Sequence, residues 1–545
     1  MSLKISLFLI LLLSLFVRTY NLKTLPPSLF YDEVDAGYQA MTFNHNQTDY
    51  YGNKFPVHFH SFSDWRTSLD IYTIAAFQKI TGDNELSVRL PSVLFGVISV
   101  ALIYLITGSR TAAFLMAISP WSIHFSRAGF EVSGMIATIL AGILFWQKYL
   151  ASHHHRFLYL SIFFFLLSPY FYSTAKMFIV IIALLIVIIW RQEIIRLGFK
   201  RLLLLFIFST LVLAPLAVDT IKGRSGFRFS YISIFSQPDK AQVTNRMRYE
   251  DVFTEHSNEI GVKTPLTSFY FHNKHQVVLE KFINNYFSSF STNFFVLTGD
   301  TNLRQGFGNF GMAYFLDLFF MAIGVFYSLK NKKNIKLSKF FLWVFILAPI
   351  PFALTRDSNS PHATRLILML PSIIYFTSLG VIQLASKYKV IFYLSICLYS
   401  LLFLNFWHHY HLHYPQISAI YWNTGVKESV LATKKYPNRP VFYSNKYAAP
   451  LSFYLFYQPY LLPASDSITN HLQEVRLPYF SGQKLDRDTY FGYFDWSDKM
   501  ILPKNSIVVI PKSEFPSVPQ SRFSVLETIS KKYIEQEEFL ILQYL

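Results

Sequence analysis

Three acids fall within four positions, Asp32, Glu33 and Asp35, soon after the first apolar run of the chain ends. A carboxylate there can act as a general base, taking a proton from a hydroxyl as the hydroxyl oxygen attacks a carbon. It can equally be a solvated acidic loop, or the acidic first turn of a helix. A second acid, Glu131, follows Arg127 in a very short connector between two apolar runs. It is either half of an interfacial ion pair or a second carboxylate facing the same cavity as Asp32. Cations form the third group: Arg66 in Trp65-Arg66-Thr67, Lys176 at the start of an apolar run, and Arg356 and Arg365 on either side of His362. An arginine fork fits a phosphate, and lysine binds one as a point charge. Each alone is an ordinary interfacial anchor. Together they can offset the charge that develops on a phosphate leaving group. Asp35, Tyr38, Arg127 and His362 are the candidates for orienting an acceptor.

These residues need a frame, and composition says which. Of 545 residues, 52% are hydrophobic and only 15% charged; soluble domains carry about 25% charged residues. Crossing a bilayer takes about 20 apolar residues. Runs near that length lie at roughly 2–18, 88–107, 110–127, 131–150, 156–173, 174–191, 200–218, 311–329, 338–355, 364–384 and 389–408. The first has no small-residue cleavage site after Val17, so it is expected to be a retained helix rather than a signal peptide. The connectors 108–110, 153–156, 191–201, 330–333 and 387–389 are short and basic, which predicts that they are cytoplasmic. The N-terminus is then inside. Loops 19–87 and 219–310, the latter with Arg224 and Arg228, lie outside, as does everything after about 409. The stretch Leu69 to Ile80 is too short to span and is expected to be an amphipathic surface helix. Asp317 is expected about two turns deep in a span, where a charge marks a paired or functional group.

The expected architecture is therefore a polytopic α-helical membrane protein, multi-pass in the cell membrane. Residues 1–410 form its transmembrane domain and 411–545 a small α/β domain outside. Within the latter, Pro440 to Ser444 and Ser506 to Ile510 read as strands, Val525 to Glu537 as a helix, and Ile417 to Lys434 as an amphipathic connecting helix. The net charge of +17 suits cytoplasmic loops and predicts no nucleic-acid partner. With one cysteine, Cys397, there is no disulfide within the chain and no cysteine-based metal site. The run His153 to His155 reads as a solvated turn.

The order of these motifs resembles the phospholipid-carrier-dependent glycosyltransferases of the GT-C type, which include protein O-mannosyltransferases and the aminoarabinose transferases that modify lipid A. The resemblance covers roughly residues 1–410. It rests on Asp32-Glu33 after the first helix, on the string from Gly82 through Arg89 to Gly96, and on Ser119 to Arg127 leading to Glu131. Two later strings, Thr298 to Arg304 and Ser360 to Arg365, complete it. Two departures stand out. Arg66-Thr67-Ser68-Leu69 occupies the place of a Lys-Pro-Pro-Leu whose lysine binds the carrier phosphate, and Glu131 replaces an aspartate.

The resemblance implies a polyprenyl-phosphate-linked sugar as donor, entering from the membrane lipid. Arg66 and Lys176, with Arg356 or Arg365, would hold its phosphate. Asp32 would be the base, Glu33 or Glu131 would orient the acceptor or tune Asp32, and transfer would invert the anomeric carbon. The acceptor hydroxyl is not specified and belongs to a protein, a lipid or a cell-wall glycan. A monophosphate carrier implies no metal cofactor. A diphosphate carrier implies a divalent ion, for which Asp32, Glu33, Asp35 and Glu131 are the available ligands. The competing classes are a transporter or flippase of lipid-linked sugars and a non-catalytic scaffold. A transporter would place its polar groups at the bilayer midplane within paired repeats. Here the acids and cations lie at the outer rim and no repeat is visible.

Overall fold

A computed structural model describes residues 3–224, 231–236, 240–255, 266–331, 334–356, 360–463, 466–485, 488–529, 531–534 and 536–545. Arg228 and the stretch 357–359 lie outside the described residues, as do parts of the 219–310 loop.

Helices occupy the apolar runs. They include α1 (Leu3–Thr19), α2 (Tyr31–Asn46), α3 (Ser68–Thr81), α4 (Glu85–Thr107), α5 (Arg110–Ile118), α6 (Pro120–Arg127), α7 (Val132–Ser152), α8 (His155–Phe171) and α9 (Ala175–Ile189). Later helices cover Gly198–Ile221, Phe315–Lys330, Ile335–Leu347, Met369–Lys387 and Lys389–His408. Among the described residues, six helical stretches are long and apolar enough to cross a membrane. Many of their apolar side chains, such as Leu94, Leu105, Leu204 and Phe206, are exposed and need a hydrocarbon surround. The chain is an integral membrane protein. The run at 110–127 is not one helix. Pro120 supplies no N–H and Ser119 Oγ accepts from Ser122 N, so a new helix starts there.

Contacts group the chain into two compact units. One holds residues 1–173, 302–308 and 394–545; the other holds 174–301 and 309–393. In the first, α1 packs on α4, α5 and α6, α4 on α7, and α7 on α8. Two buried arginines fasten α1. Arg18 donates to Ser14, Ala117 O and Ser122 Oγ. Arg127 donates to Val17 O at 2.7 Å, Tyr20 O at 2.7 Å and Leu25 O at 2.9 Å, satisfying carbonyls at and beyond the end of α1.

The same unit carries a seven-stranded sheet in the order β4-β5-β6-β3-β7-β9-β8. Its strands are β3 (Val441–Ser444), β4 (Leu472–Leu477), β5 (Phe480–Leu485), β6 (Thr489–Phe494), β7 (Ile507–Pro511), β8 (Phe523–Thr528) and β9 (Phe539–Tyr544). The central strand β3 runs parallel to β6 and β7; the other pairs are antiparallel. Strands β3 and β7 stand where the alternation predicts them. The expected helix at Val525 to Glu537 instead begins within strand β8, and the described residues beyond Thr528 are not helical, because pairing with β9 outweighs local helix preference. The expected connecting helix at Ile417 to Lys434 is broken. Asn423 (φ 51°) and Gly425 (φ 92°) take left-handed conformations, and helix resumes beyond them as Val426–Ala432 with a 3-10 turn at Thr433–Lys435. One apolar core joins this domain to the first loop: Val34 and Tyr38 of α2 and Ile71 and Ile74 of α3 lie with Tyr443, Phe453, Phe456 and Ile507. A Cβ on Gly37 would lie 2.5 Å from the Phe456 ring.

In the second unit, helices Phe315–Lys330 and Met369–Lys387 cross closely. A Cβ on Gly324 would meet Phe376 O at 1.9 Å, and one on Gly380 would meet Phe320 O at 1.9 Å. Small residues allow such backbone approach within a membrane. Asp317 is buried but not two turns into a span. The helix begins at Phe315, and Asp317 Oδ2 accepts from Tyr314 N at 2.9 Å, closing its first turn. Gly324→Leu should therefore destabilise the protein by about 1–3 kcal/mol through overpacking, read as a lower melting temperature in detergent. Phe319→Leu, at an exposed position of the same helix, should leave it unchanged; equal effects would refute the close crossing.

Candidate active site

The acidic loop folds as the first turns of α2. Glu33 at position N3 reaches back so that its Oε2 accepts from Phe30 N at 3.1 Å, which fixes the helix start. Its other contacts run elsewhere. Oε1 accepts from Arg89 Nε at 2.9 Å and from Gly129 N at 2.7 Å, and Oε2 accepts from Arg89 Nη2 at 3.2 Å. Both side chains are buried. Arg89 also donates to Leu22 O and Pro26 O at 3.0 Å each, and to Ser28 O. Its place on α4 is set by the string that begins at Gly82. Asn84 Oδ1 accepts from Leu86 N and Ser87 N, starting the helix one turn before Arg89.

Asp32 and Asp35 lie on the other side of α2 and share one guanidinium. Arg66 Nη2 donates to Asp32 Oδ1 at 2.6 Å. Arg66 Nε lies 2.6 Å from Asp35 Oδ2, an ion pair without hydrogen-bond alignment. Arg66 is presented by the short hairpin of β1 (His58–His60) and β2 (Trp65–Thr67). The two carboxylates differ sharply in setting. The Asp35 side chain is 1% exposed and accepts from Tyr50 Oη at 2.9 Å and Ser61 Oγ at 3.0 Å. Burial pushes its carboxyl above the usual range, against the pull of Arg66 and those two hydroxyls. The Asp32 side chain is 46% exposed. Of the three acids, it alone can meet a partner from outside.

Asp70, on the first turn of α3, is buried. Burial, then the neighbouring Glu131 carboxylate, raise its carboxyl well above the usual range; Glu33 adds to the shift and Arg66 opposes it. Glu131 sits at the N-cap of α7 and is half-buried. Tyr38 is buried and donates to Tyr460 O at 2.6 Å, so its hydroxyl is committed to the sheet domain. Among the described residues, no group of three or more His, Cys, Asp or Glu side chains is placed to hold a metal ion. Glu33 turns to Arg89 while Asp32 and Asp35 turn to Arg66, so the acidic set as arranged does not fit one.

Lys176, Arg356, His362 and Arg365 belong to the second unit. Lys176 lies in the first turn of α9. The Arg356 guanidinium stacks 4.4 Å from the Tyr231 ring centroid. Arg365 Nη1 donates to Thr355 Oγ1 at 3.0 Å, and His362 precedes the short helix Ala363–Leu366. Here two of the motif strings meet: Asp300 Oδ2 accepts from Ala363 N at 2.8 Å, and the Thr301 and Ser360 hydroxyls are 2.7 Å apart.

Residues 69–218 match the family model described as dolichyl-phosphate-mannose-protein mannosyltransferase. Over that stretch the chain resembles this GT-C mannosyltransferase family. The match includes Asp70, Arg89, Arg127, Glu131 and Lys176, and begins after Asp32. Among solved structures, the chain is similar to ArnT from Cupriavidus metallidurans bound to undecaprenyl phosphate. There the identity is 11%, over 98% of this chain and 96% of that one, with a TM-score of 0.49. It is also similar to the archaeal oligosaccharyltransferase AglB from Archaeoglobus fulgidus, in complex with an inhibitory peptide and a dolichol-phosphate. That identity is 14%, the TM-score is 0.45, and the match covers 79% of this chain but only 57% of the AglB chain. No curated protein matches the chain in sequence.

Two measurements follow. Glu33→Gln leaves Arg89 charged and unpaired out of water, which should cost about 3–5 kcal/mol, whereas Asp32→Asn should change the melting temperature little. Similar losses from the two would overturn the contrast. Asp70 retains its proton in the folded chain at pH values where the unfolded chain has lost it. Its burial therefore costs no stability below the ordinary carboxylate range, and an increasing amount as pH rises towards its folded value. The stability gain of Asp70→Asn over wild type should grow from pH 4 upward, and a gain independent of pH would contradict this assignment.

Proposed function

We propose that this protein is a membrane glycosyltransferase that moves a sugar from a polyprenyl-phosphate carrier to an acceptor hydroxyl, with Asp32 as general base. The observation that carries the proposal is the split between the two acids on Arg66: one is buried and committed, the other is half exposed and aimed by the same guanidinium. The match of 69–218 to a dolichyl-phosphate-mannose mannosyltransferase family supports the donor class.

In this mechanism Asp32 takes the proton of the acceptor hydroxyl. The hydroxyl oxygen bonds to the anomeric carbon as the bond from that carbon to the phosphate oxygen breaks, with inversion, and the polyprenyl phosphate leaves with the bonding electrons. Arg66 orients Asp32, and Glu33 acts through the helix start rather than on substrate. The acceptor is a protein, lipid or glycan hydroxyl at the extracytoplasmic face. The N-terminus is cytoplasmic and the sheet domain outside. The phosphate-holding roles of Lys176, Arg356 and Arg365 belong to the same proposal, each tested by removing its charge. A monophosphate carrier needs no metal in this scheme.

The test uses wild type and Asp32→Asn, purified in detergent and assayed with a panel of radiolabelled polyprenyl-phosphate sugars, scoring release of polyprenyl phosphate. Loss of a general base should slow release by about 10²–10⁴-fold. Equal release by both proteins would remove Asp32 from the mechanism. Absence of release from wild type with every donor and added acceptors would remove the transferase reading.

A further inference from the structure

Arg66 already faces two carboxylates at 2.6 Å each. An incoming phosphate would have to compete with both for that one guanidinium. Another cation in the same unit has no such competitor. Arg304 makes no ion pair with a carboxylate among the described residues, and its Nε is out of solvent without a hydrogen-bond partner. Its guanidinium carbon lies 4.9 Å from the centroid of the Phe30 ring. Phe30 is the N-cap of α2, two positions before Asp32.

The backbone that carries Arg304 is held from below by buried side chains. Tyr414 Oη donates to Leu303 O at 2.7 Å, and Trp422 Nε1 donates to that same hydroxyl oxygen at 2.7 Å. A His124 ring nitrogen, Nε2, lies 2.9 Å from Arg304 O; because a carbonyl can only accept, this nitrogen carries the proton. Nδ1 of the same ring then accepts from Tyr410 Oη at 3.0 Å. His409 Nε2 donates to Phe307 O at 2.7 Å in the same way. Three carbonyls within five residues are thus fastened by side chains of α6 and of the helix end near 409–414. Such fastening presents a guanidinium in a set direction and removes the ordering cost when an anion arrives. A cation without a carboxylate partner among the described residues, stacked on the ring two positions before the exposed carboxylate in the chain, is suited to a phosphate oxyanion.

We propose that Arg304 binds the phosphate of the lipid-linked donor and receives the charge that develops on it as the sugar departs. This rests on the transferase reading and adds to it a phosphate-binding residue. The experiment compares the full-length wild type with Arg304→Gln in detergent, measuring affinity for a short-chain polyprenyl phosphate by tryptophan fluorescence, donor turnover, and melting temperature. A charged hydrogen bond contributes about 1.5–3 kcal/mol, so the variant should bind roughly 10- to 100-fold more weakly with an unchanged melting temperature. Inorganic phosphate should compete in wild type and have little effect in the variant. Added guanidinium ion should restore part of the turnover of Arg304→Ala, which a purely structural role would not allow. If Arg304→Gln is unstable, Arg304→Met keeps the stem against Phe30 and serves in its place. Wild-type affinity and turnover in a folded variant would overturn the assignment while leaving the transferase reading intact. A wild type that neither binds polyprenyl phosphate nor turns over any donor would overturn both.

Discussion

The buried pair of Glu33 and Arg89 is the constraint on which the site depends. Neither charge is tolerable alone out of water, and each carries the hydrogen bonds that make the pair tolerable. Those bonds reach the loop after α1 through Leu22, Pro26 and Ser28, the start of α2 through Phe30 N, and the α6–α7 turn through Gly129 N. The stretch from Leu22 to Glu33, Arg89 of α4 and the turn at Gly129 thus meet at one ion pair. The direction in which α2 leaves that point determines where Asp32 stands.

From there the chemistry divides by solvent access. Asp32 and Asp35 are one helical turn apart and see the same guanidinium, yet only one keeps contact with water. The buried member uses its oxygens on Tyr50, Ser61 and Arg66, and so positions the hairpin that carries Arg66. The exposed member then inherits a cation whose place is already set. Acid number alone does not make this arrangement; environment assigns the roles.

Much of the frame was legible because long apolar runs have few alternatives to helix, and because β3 and β7 carry buried β-branched and aromatic residues. The nearness of Asp32 and Arg66 was legible only as two charges expected on one face. Arg89 was harder to place: within a family string it looks like part of a helix start, although a cation one turn into an apolar helix asks for a buried partner. Asp70 reads as the polar end of a surface helix, and nothing local reveals the carboxylate of Glu131 beside it. Arg304 closes one of the family-like strings, but nothing local shows what holds it, since its fastening comes from side chains more than a hundred residues away. The misread helix at Val525 fails for the same reason in reverse: its neighbour β9 follows it in the chain and decides its conformation.

The apolar core shared by α2 and the sheet domain has a consequence for how the molecule comes into being. Val34 and Tyr38 leave the ribosome long before Phe539 and Ile541, which lie in the same core. Contacts of such sequence separation form late, because the intervening chain must close first. The helix bearing Asp32 is therefore made well before the surface against which it packs. A nascent chain with its membrane helices in place but the sheet still unmade would hold that helix without its packing partner, so the position of Asp32 depends on a domain made later than the helices.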